Sequence, residues 1–305
     1  MKIMFMGTPD FARVNLENLI NNGYDVCCAV TQQDKPRGRK MVLTPPPVKE
    51  YALSKNIPVL QPHTLKDGAF LTELEKYTPD LIVVVAYGKI LPKYILDYPK
   101  HGCINVHGSL LPKYRGSAPV QWAVINGEKE TGVTTMYMNE GMDTGDILLQ
   151  QKFDILENET GGELMDRMAE IGAELLVKTL ENLSDISPVK QDEKAATYAP
   201  MLKKETGLIN WESSADEIKN LVNGLNPWPT AYFETEKGDI KIYSAEAESC
   251  GIKEKPGTVV SAEDTLDIMT GDGVLKIKEL QLQGKKRMNA ADFLRGCKIE
   301  KGTEF

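Results

Sequence analysis

Apolar and polar positions along the chain fall into short alternating blocks. Lys2 to Met6 (KIMFM) is an apolar run closed by GTPD, and FARVNLENLINNG repeats its apolar positions at helical spacing up to Gly23. DVCCAVTQ then reads as a strand, VKEYALSKN as a helix, IPVLQP as a short strand and TLKDGAFLTELEKY as a helix. In DLIVVVAYG the unbroken run from Leu81 to Val85 predicts a central strand buried on both faces. A helical piece ends near Tyr98 and GCINVHG is the next strand. Short strands alternating with helices predict an α/β fold: a doubly wound, mostly parallel Rossmann-like sheet.

TGVTTMYM and GDILLQQKFDI predict two further strands with EGMDTG between them, and the stretch from Gly161 to Leu183 has the apolar spacing of one long amphipathic helix. SDISPVKQDEKAATYAPMLKKETG is polar and without sustained period, which reads as a linker. Beyond it, Ser214 and Glu217 have capping-box spacing, and Ile218, Leu221, Val222 and Leu225 form the apolar face of a helix that NPWP stops. From Ala231 to Lys278, short alternating runs punctuated by Gly and Asp predict a small β-barrel. The expected division is residues 1–189, a linker 190–206, and a barrel domain 207–305. Trp122, Pro227 and Trp228 are expected to pack in the core or at a domain interface.

A length of 305 residues suits two domains with a core each. No apolar run approaches the ~20 residues that span a bilayer. MKIMFMGTPDF breaks too early for a signal peptide, so a cytoplasmic protein is expected. Five cysteines show no metal-ligand spacing, and Cys27 and Cys28 lie in an apolar strand, where packing is their expected role. The net charge of −8 opposes a bulk electrostatic grip on nucleic acid, though a local basic patch can still provide one.

The candidate chemistry lies in INVHGSLLPKYRGSAP. Ligands of a parallel sheet gather beyond the carboxyl ends of its strands, where Asn105 and His107 stand two positions apart and project to one side. An Asn-x-His pair by itself also fits a capped turn. In EGMDTGD, Asp143 between glycines fits an ordinary turn as well, or a carboxylate that orients the imidazole. Asn, His and Asp without a nucleophile suit direct acyl transfer, with the amide on the developing oxyanion and the imidazole moving a proton. Ser109 lacks the GxSxG elbow of a nucleophile. GTPDFA lacks GxGxxG, so no nicotinamide cofactor is expected.

GTPDFA, VVAYGKILP, INVHGSLLPKYRGSAP, ETGVTTMYMNEGMDTGDIL and NPWP together resemble the folate-dependent formyltransferases, and among them the methionyl-tRNA formyltransferases, over essentially the whole chain. The resemblance implies Asn105, His107 and Asp143 as the catalytic trio. It implies tetrahydrofolate against Ser109, Leu110, Leu111 and Pro112, and its pterin on main chain around Val85, Tyr87, Gly88 and Ile90 and the loop at Asn139. The implied donor is 10-formyltetrahydrofolate and the acceptor the α-amine of methionyl-initiator tRNA, with no metal and no covalent intermediate. A monomer is implied.

The resemblance also implies a basic loop entering the tRNA acceptor stem. Here it reads QQDKPRGRK, where the family often reads QPDRPAGRG, and Arg37, Arg39 and Lys40 are its candidate tRNA contacts. A charge run of this kind is otherwise a solvated loop. Lys276, Lys278, Lys285, Lys286 and Arg287 form a second basic group that opposes only Glu279 along the sequence, with Lys285, Lys286 and Arg287 as further tRNA contacts. The nearest alternative is a sugar-nucleotide formyltransferase, which has the same trio but no use for the basic loop. A glycinamide ribonucleotide formyltransferase would carry a glycine- and serine-rich phosphate loop at Gly7 and no second domain. A formyltetrahydrofolate hydrolase or dehydrogenase fragment shares the trio but gives no reason for two basic clusters, and an RNA-binding protein without activity gives none for the trio.

Overall fold

The computed structural model describes residues 1–37, 41–251 and 254–305, with Arg37 by its main chain. In chain order the elements are β1 (Lys2–Gly7), α1 (Asp10–Asn21), β2 (Asp25–Val30), β3 (Lys35–Arg37), β4 (Val42–Thr44), α2 (Pro47–Ser54), β5 (Val59–Leu60), α3 (Leu71–Tyr77), β6 (Leu81–Val85), α4 (Lys93–Leu96), β7 (Cys103–His107) and β8 (Arg115–Gly116). They continue with α5 (Pro119–Ile125), β9 (Glu130–Tyr137), β10 (Ile147–Asp154), α6 (Gly161–Glu181), β11 (Tyr198–Ala199), α7 (Ala215–Gly224), β12 (Ala231–Phe233), β13 (Ile240–Glu248), β14 (Val259–Ala262), β15 (Leu266–Met269), β16 (Val274–Leu282), β17 (Met288–Asn289) and α8 (Ala290–Gly296). Two compact units result: Met1–Gly116 with Glu130–Asp154 and Met165–Tyr198, and Ser117–Lys129 with Ile155–Leu164 and Ala199–Phe305.

The first unit is built on a sheet of order β10-β9-β7-β6-β1-β2-β5. β5, β2, β1, β6 and β7 run parallel, and β9 and β10 are added antiparallel. Helices cover the parallel strands, so β1 and β6 are wanted apolar on both faces, as KIMFM and LIVVV are. Every residue of β6 is buried, each contributing about 1.5–3 kcal/mol of apolar burial. Met4, Met6, Val30, Ile82 and Val84 pack with Leu65, Phe70, Leu74 and Ile95 on one side. α6 buries Leu164, Met168, Leu175 and Leu176, and its Thr179 hydroxyl lies 2.8 Å from that of Thr135 on β9.

The strand order reverses at β1 and β6, so a crevice is expected outside the carboxyl ends of β1, β6 and β7. Two stretches differ from the reading of the sequence. TLKDGAFLTELEKY is helical only over Leu71–Tyr77, because Gly68 takes a left-handed φ of 76° that a helix cannot continue through. The charged loop after β2 contains the antiparallel pair β3 and β4.

In the second unit the capping box forms as the spacing predicts. Ser214 Oγ accepts from the Glu217 amide and Glu217 Oε2 from the Ser214 amide. The sheet has order β12-β13-β16-β15-β14, with β17 on β16, and is antiparallel throughout. Two register shifts in β13 bend it around a core of Trp211, Phe233, Ile242, Ile268, Leu275 and Phe293, consistent with a small barrel. Trp122 packs partly buried against Ala118, Leu202 and Leu225, its indole N–H on the Pro200 carbonyl at 2.8 Å. Pro227 and Trp228 depart from the packing role expected of them: both are exposed, Trp228 at 62%. The NPWP turn is instead held by main chain and small groups. Thr230 Oγ1 donates to the Pro227 carbonyl, and the Asn226 side chain to that of Tyr243.

Candidate active site

β7 is paired on both sides, Asn105 opposite Val84 of β6 and Met136 of β9, and His107 opposite Thr134. This pairing carries two polar side chains to the carboxyl end of a central strand, Asn105 at 9% exposure and His107 at 6%. His107 Nε2 lies 2.9 Å from the Tyr114 carbonyl. A carbonyl only accepts, so Nε2 carries the proton and Nδ1 is the nitrogen free to exchange one. Nδ1 faces Asp143 Oδ2 at 3.7 Å, within ion-pair reach but longer than a direct hydrogen bond. The Gly116 amide donates to the same oxygen at 2.8 Å. Among the described residues nothing hydrogen-bonds the Asn105 side-chain amide.

The segment after His107 is held tightly. Ser109 Oγ donates to the Lys113 carbonyl at 2.7 Å, which commits the hydroxyl to its own turn. Thr134 Oγ1 donates to the Ser109 carbonyl and accepts from the Leu111 amide, while Gln150 Nε2 donates to Thr134 Oγ1 and to the Leu111 carbonyl. Leu110 is half-buried beside buried Leu111, and Pro112 is half-buried.

On the segment leaving β6, Val85 is buried, and Ala86 and Gly88 take left-handed φ of 45° and 78°. The Tyr87 carbonyl accepts from Gln32 Nε2 at 2.9 Å and Thr8 Oγ1 at 3.2 Å. Its side chain turns into the core beside Met6 and Leu91, and burial pushes the phenol pKa up to about 12. Ile90, by contrast, is 74% exposed. Asn139 Oδ1 accepts from the Gly141 amide and the Thr144 hydroxyl, folding the loop that carries Asp143.

Residues 1–180 match the family model described as formyl transferase, and residues 201–298 match that of the formyl transferase C-terminal domain. The chain belongs to the formyltransferase family. A curated methionyl-tRNA formyltransferase of Alkaliphilus oremlandii is 51% identical over 99% of both chains, and one of Lachnospira eligens is 50% identical over 99% of both. In fold the chain is similar to an N-formyltransferase from Helicobacter canadensis solved with folinic acid and dTDP-3-aminofucose, at a TM-score of 0.68 and 20% identity, over 91% of this chain and 99% of that one.

The structure thus brings Asn105, His107 and Asp143 into one site of a formyltransferase fold, with the Ser109 to Pro112 segment following the same strand. Arg39, Lys40 and the side chain of Arg37 lie outside the described residues. Lys285 and Lys286 are exposed. Arg287 is engaged by Glu279, with Nε at 2.6 Å, and its guanidinium stacks 4.3 Å from the Tyr243 ring centroid. The second basic group is less unopposed than its sequence implies, because β13 sets Glu248 against Lys276 and Glu246 against Lys278. Tyr114, Arg115, Gly116 and Gln191 escape the sequence reading. Tyr114 and Gly116 act through main chain, and Gln191 stands in a polar stretch read as a tether.

Proposed function

We propose that this chain transfers the formyl group of 10-formyltetrahydrofolate to the α-amino group of methionyl-initiator tRNA, supplying formylmethionyl-tRNA for translation initiation. The observation that carries the reading is the convergence of Asn105, His107 and Asp143 at the end of β7, in a chain about half identical to methionyl-tRNA formyltransferases over its full length.

The chemistry follows from the donors on the page. The acceptor attacks as the neutral amine, and the formyl oxygen gathers negative charge as its carbon becomes tetrahedral. Asn105 Nδ2 donates to that oxygen, and an oriented donor in a site shielded from water stabilises it more than solvent does. His107 Nδ1 takes the proton that the amine loses on acylation, and Asp143 stabilises the imidazolium so formed. The same nitrogen returns the proton to the departing folate nitrogen, so the C–N bond to folate breaks as the new amide is completed. Ser109, Leu110, Leu111 and Pro112 form one side of the folate site. Main chain at Val85, Tyr87, Gly88 and Ile90, with the Asn139 loop, forms the other.

Residues 1–189 carry the catalytic trio and 207–305, joined through 190–206, serve tRNA contact. Arg37, Arg39 and Lys40 meet the acceptor end, and Lys285, Lys286 and Arg287 meet phosphates elsewhere on the tRNA. The protein works as a monomer in the cytoplasm. The test is formyl transfer from 10-formyltetrahydrofolate to charged initiator tRNA, charged elongator methionyl-tRNA, an amino-sugar nucleotide and water. Transfer to the initiator alone, lost in His107→Ala and weakened in Arg39→Ala, is the expected result. Transfer to the sugar or to water alone overturns the acceptor.

A further inference from the structure

The polar stretch after α6 carries a side chain bound into the catalytic geometry. Val189 exchanges both main-chain hydrogen bonds with Ile147, at 2.8 and 2.9 Å, which fixes the segment at the start of β10. Two residues on, Gln191 Nε2 donates to the carbonyls of Asp143 at 2.8 Å and Gly145 at 2.7 Å, using both amide protons. Gln191 Oε1 accepts from Arg115 Nε at 3.0 Å and Nη2 at 2.9 Å. The other edge of the guanidinium forms a bidentate pair with Glu193, Nη1 to Oε2 at 2.8 Å and Nη2 to Oε1 at 2.9 Å. Arg115 is 0% exposed, so its charge is held by protein groups, these two partners with Tyr198 beside them.

The loop this network grips is one that needs gripping. Asp143 stands at φ 53°, a left-handed conformation that aspartate reaches more readily than most residues with a Cβ but that still costs energy, so contacts that hold the turn matter. Three consecutive residues also approach from the other side, two of them at the catalytic pair and the one between them at Gln191. The Tyr114 carbonyl faces His107 Nε2, the Arg115 guanidinium meets Gln191, and the Gly116 amide meets Asp143 Oδ2. His107 and Asp143 are therefore both set against one short segment, and Gln191 ties the Asp143 turn to it.

We infer that Gln191, braced by Arg115, is a positioning residue for formyl transfer, holding the Asp143 carboxylate beside His107 Nδ1. The inference rests on the catalytic trio proposed above. It does not depend on which amine accepts the formyl group. A purely structural side chain would bond to the core or to its own segment. Here the two amide protons meet carbonyls of the turn that carries the catalytic acid at 2.7 and 2.8 Å, with only a long 3.9 Å contact to Met136 Sδ in the core, while the Val189 bridge and the Thr197 hydrogen bonds to Pro112, Tyr114 and Arg115 hold the segment without it.

The experiment compares wild type, Gln191→Leu, Gln191→Glu, Asp143→Asn and the double variant Gln191→Leu/Asp143→Asn in steady-state formyl transfer. Glutamate keeps an acceptor for Arg115 but loses both donors to the turn, so it fails like leucine and serves if the leucine variant does not fold. The expected result is a kcat lowered by ~10²-fold in either single Gln191 variant, the scale of a catalytic group misplaced by about 1 Å. KM for both substrates stays within about threefold, the pattern of an interaction that matters only in the transition state. In the double variant, Gln191→Leu adds little to Asp143→Asn, because the two changes act through one group. Losses that multiply in the double variant, or a Gln191→Glu enzyme with wild-type kcat, overturn the inference. If wild type formylates an acceptor other than initiator tRNA, the acceptor assignment fails by itself, and the same comparison on that acceptor still decides the role of Gln191.

Discussion

Asp143 Oδ2 lies 3.7 Å from His107 Nδ1 and accepts its short hydrogen bond, 2.8 Å, from the Gly116 amide instead. The carboxylate is thus anchored to main chain and faces the imidazole at ion-pair distance. That arrangement leaves Nδ1 room to exchange a proton with a substrate.

Replacing Asp143 by Asn keeps the shape of the turn and removes the charge. The expected outcome is a kcat lower by ~10²-fold, at the low end of general acid–base contributions because the pair is not directly hydrogen-bonded. KM for the folate donor is unchanged within error. Steady-state kinetics with saturating acceptor checks this, and a kcat within twofold of wild type would remove Asp143 from the mechanism.

Asn105→Ala removes the amide that no described protein group occupies. Loss of one oriented oxyanion donor lowers kcat by ~10²–10³. The unfolding midpoint should hold, since among the described residues the amide has no hydrogen bond to lose. A large drop in thermal stability with modest loss of rate would show the amide to be structural.

The parallel sheet and the capping box are legible because each leaves a local mark: an unbroken apolar run, and a Ser and Glu three apart. The grouping of Asn105, His107 and Asp143 rests instead on the longer motifs of the family resemblance, because an Asn-x-His at a strand end by itself also fits a capped turn. What escaped the reading depends on contacts distant in sequence. Gln191 is 48 residues from the Asp143 carbonyl it binds, and nothing in VKQDEK marks it. Glu246 and Glu248 neutralise Lys278 and Lys276 across a strand pair, so a charge tally along the sequence overstates the basic patch. Pro227 and Trp228 read as core or domain-interface packing, but both are exposed, and the turn around them is held by Asn226 and Thr230 without needing the indole.

Gly145 lies so close to β9 that a Cβ there would stand 1.6 Å from the Tyr137 carbonyl oxygen. Backbone cannot yield as a flexible side chain can, so Gly145→Ala must push the MDTGD turn off the strand. Overpacking of this kind costs about 1–3 kcal/mol, and the displaced turn carries Asp143 with it. Both the denaturation midpoint and kcat should fall, the latter toward that of Asp143→Asn. Unchanged kcat in a folded Gly145→Ala protein would mean that the turn and the chemistry are uncoupled.

Tyr87 separates a core role from a folate role. Its hydroxyl is buried without a hydrogen-bond partner among the described residues, and burial disfavours the phenolate, so the folded-state pKa rises from 10.0 to about 12. Between those values the unfolded chain gives up a proton that the folded chain keeps. Stability contributed by this group is therefore complete below about pH 10 and lost as pH rises toward 12. Tyr87→Phe removes that alkaline loss. It also removes an unsatisfied hydroxyl, whose burial costs about 1–3 kcal/mol, so the variant should equal or exceed wild type in stability at neutral pH. Because the folate site is assigned to the main chain here, KM for 10-formyltetrahydrofolate should not change. Denaturant unfolding at several pH values from neutral to strongly alkaline, with donor kinetics at pH 7, tests both halves. A tenfold rise in donor KM would put the hydroxyl on the folate, and an undiminished alkaline loss of stability would assign that titration to another group.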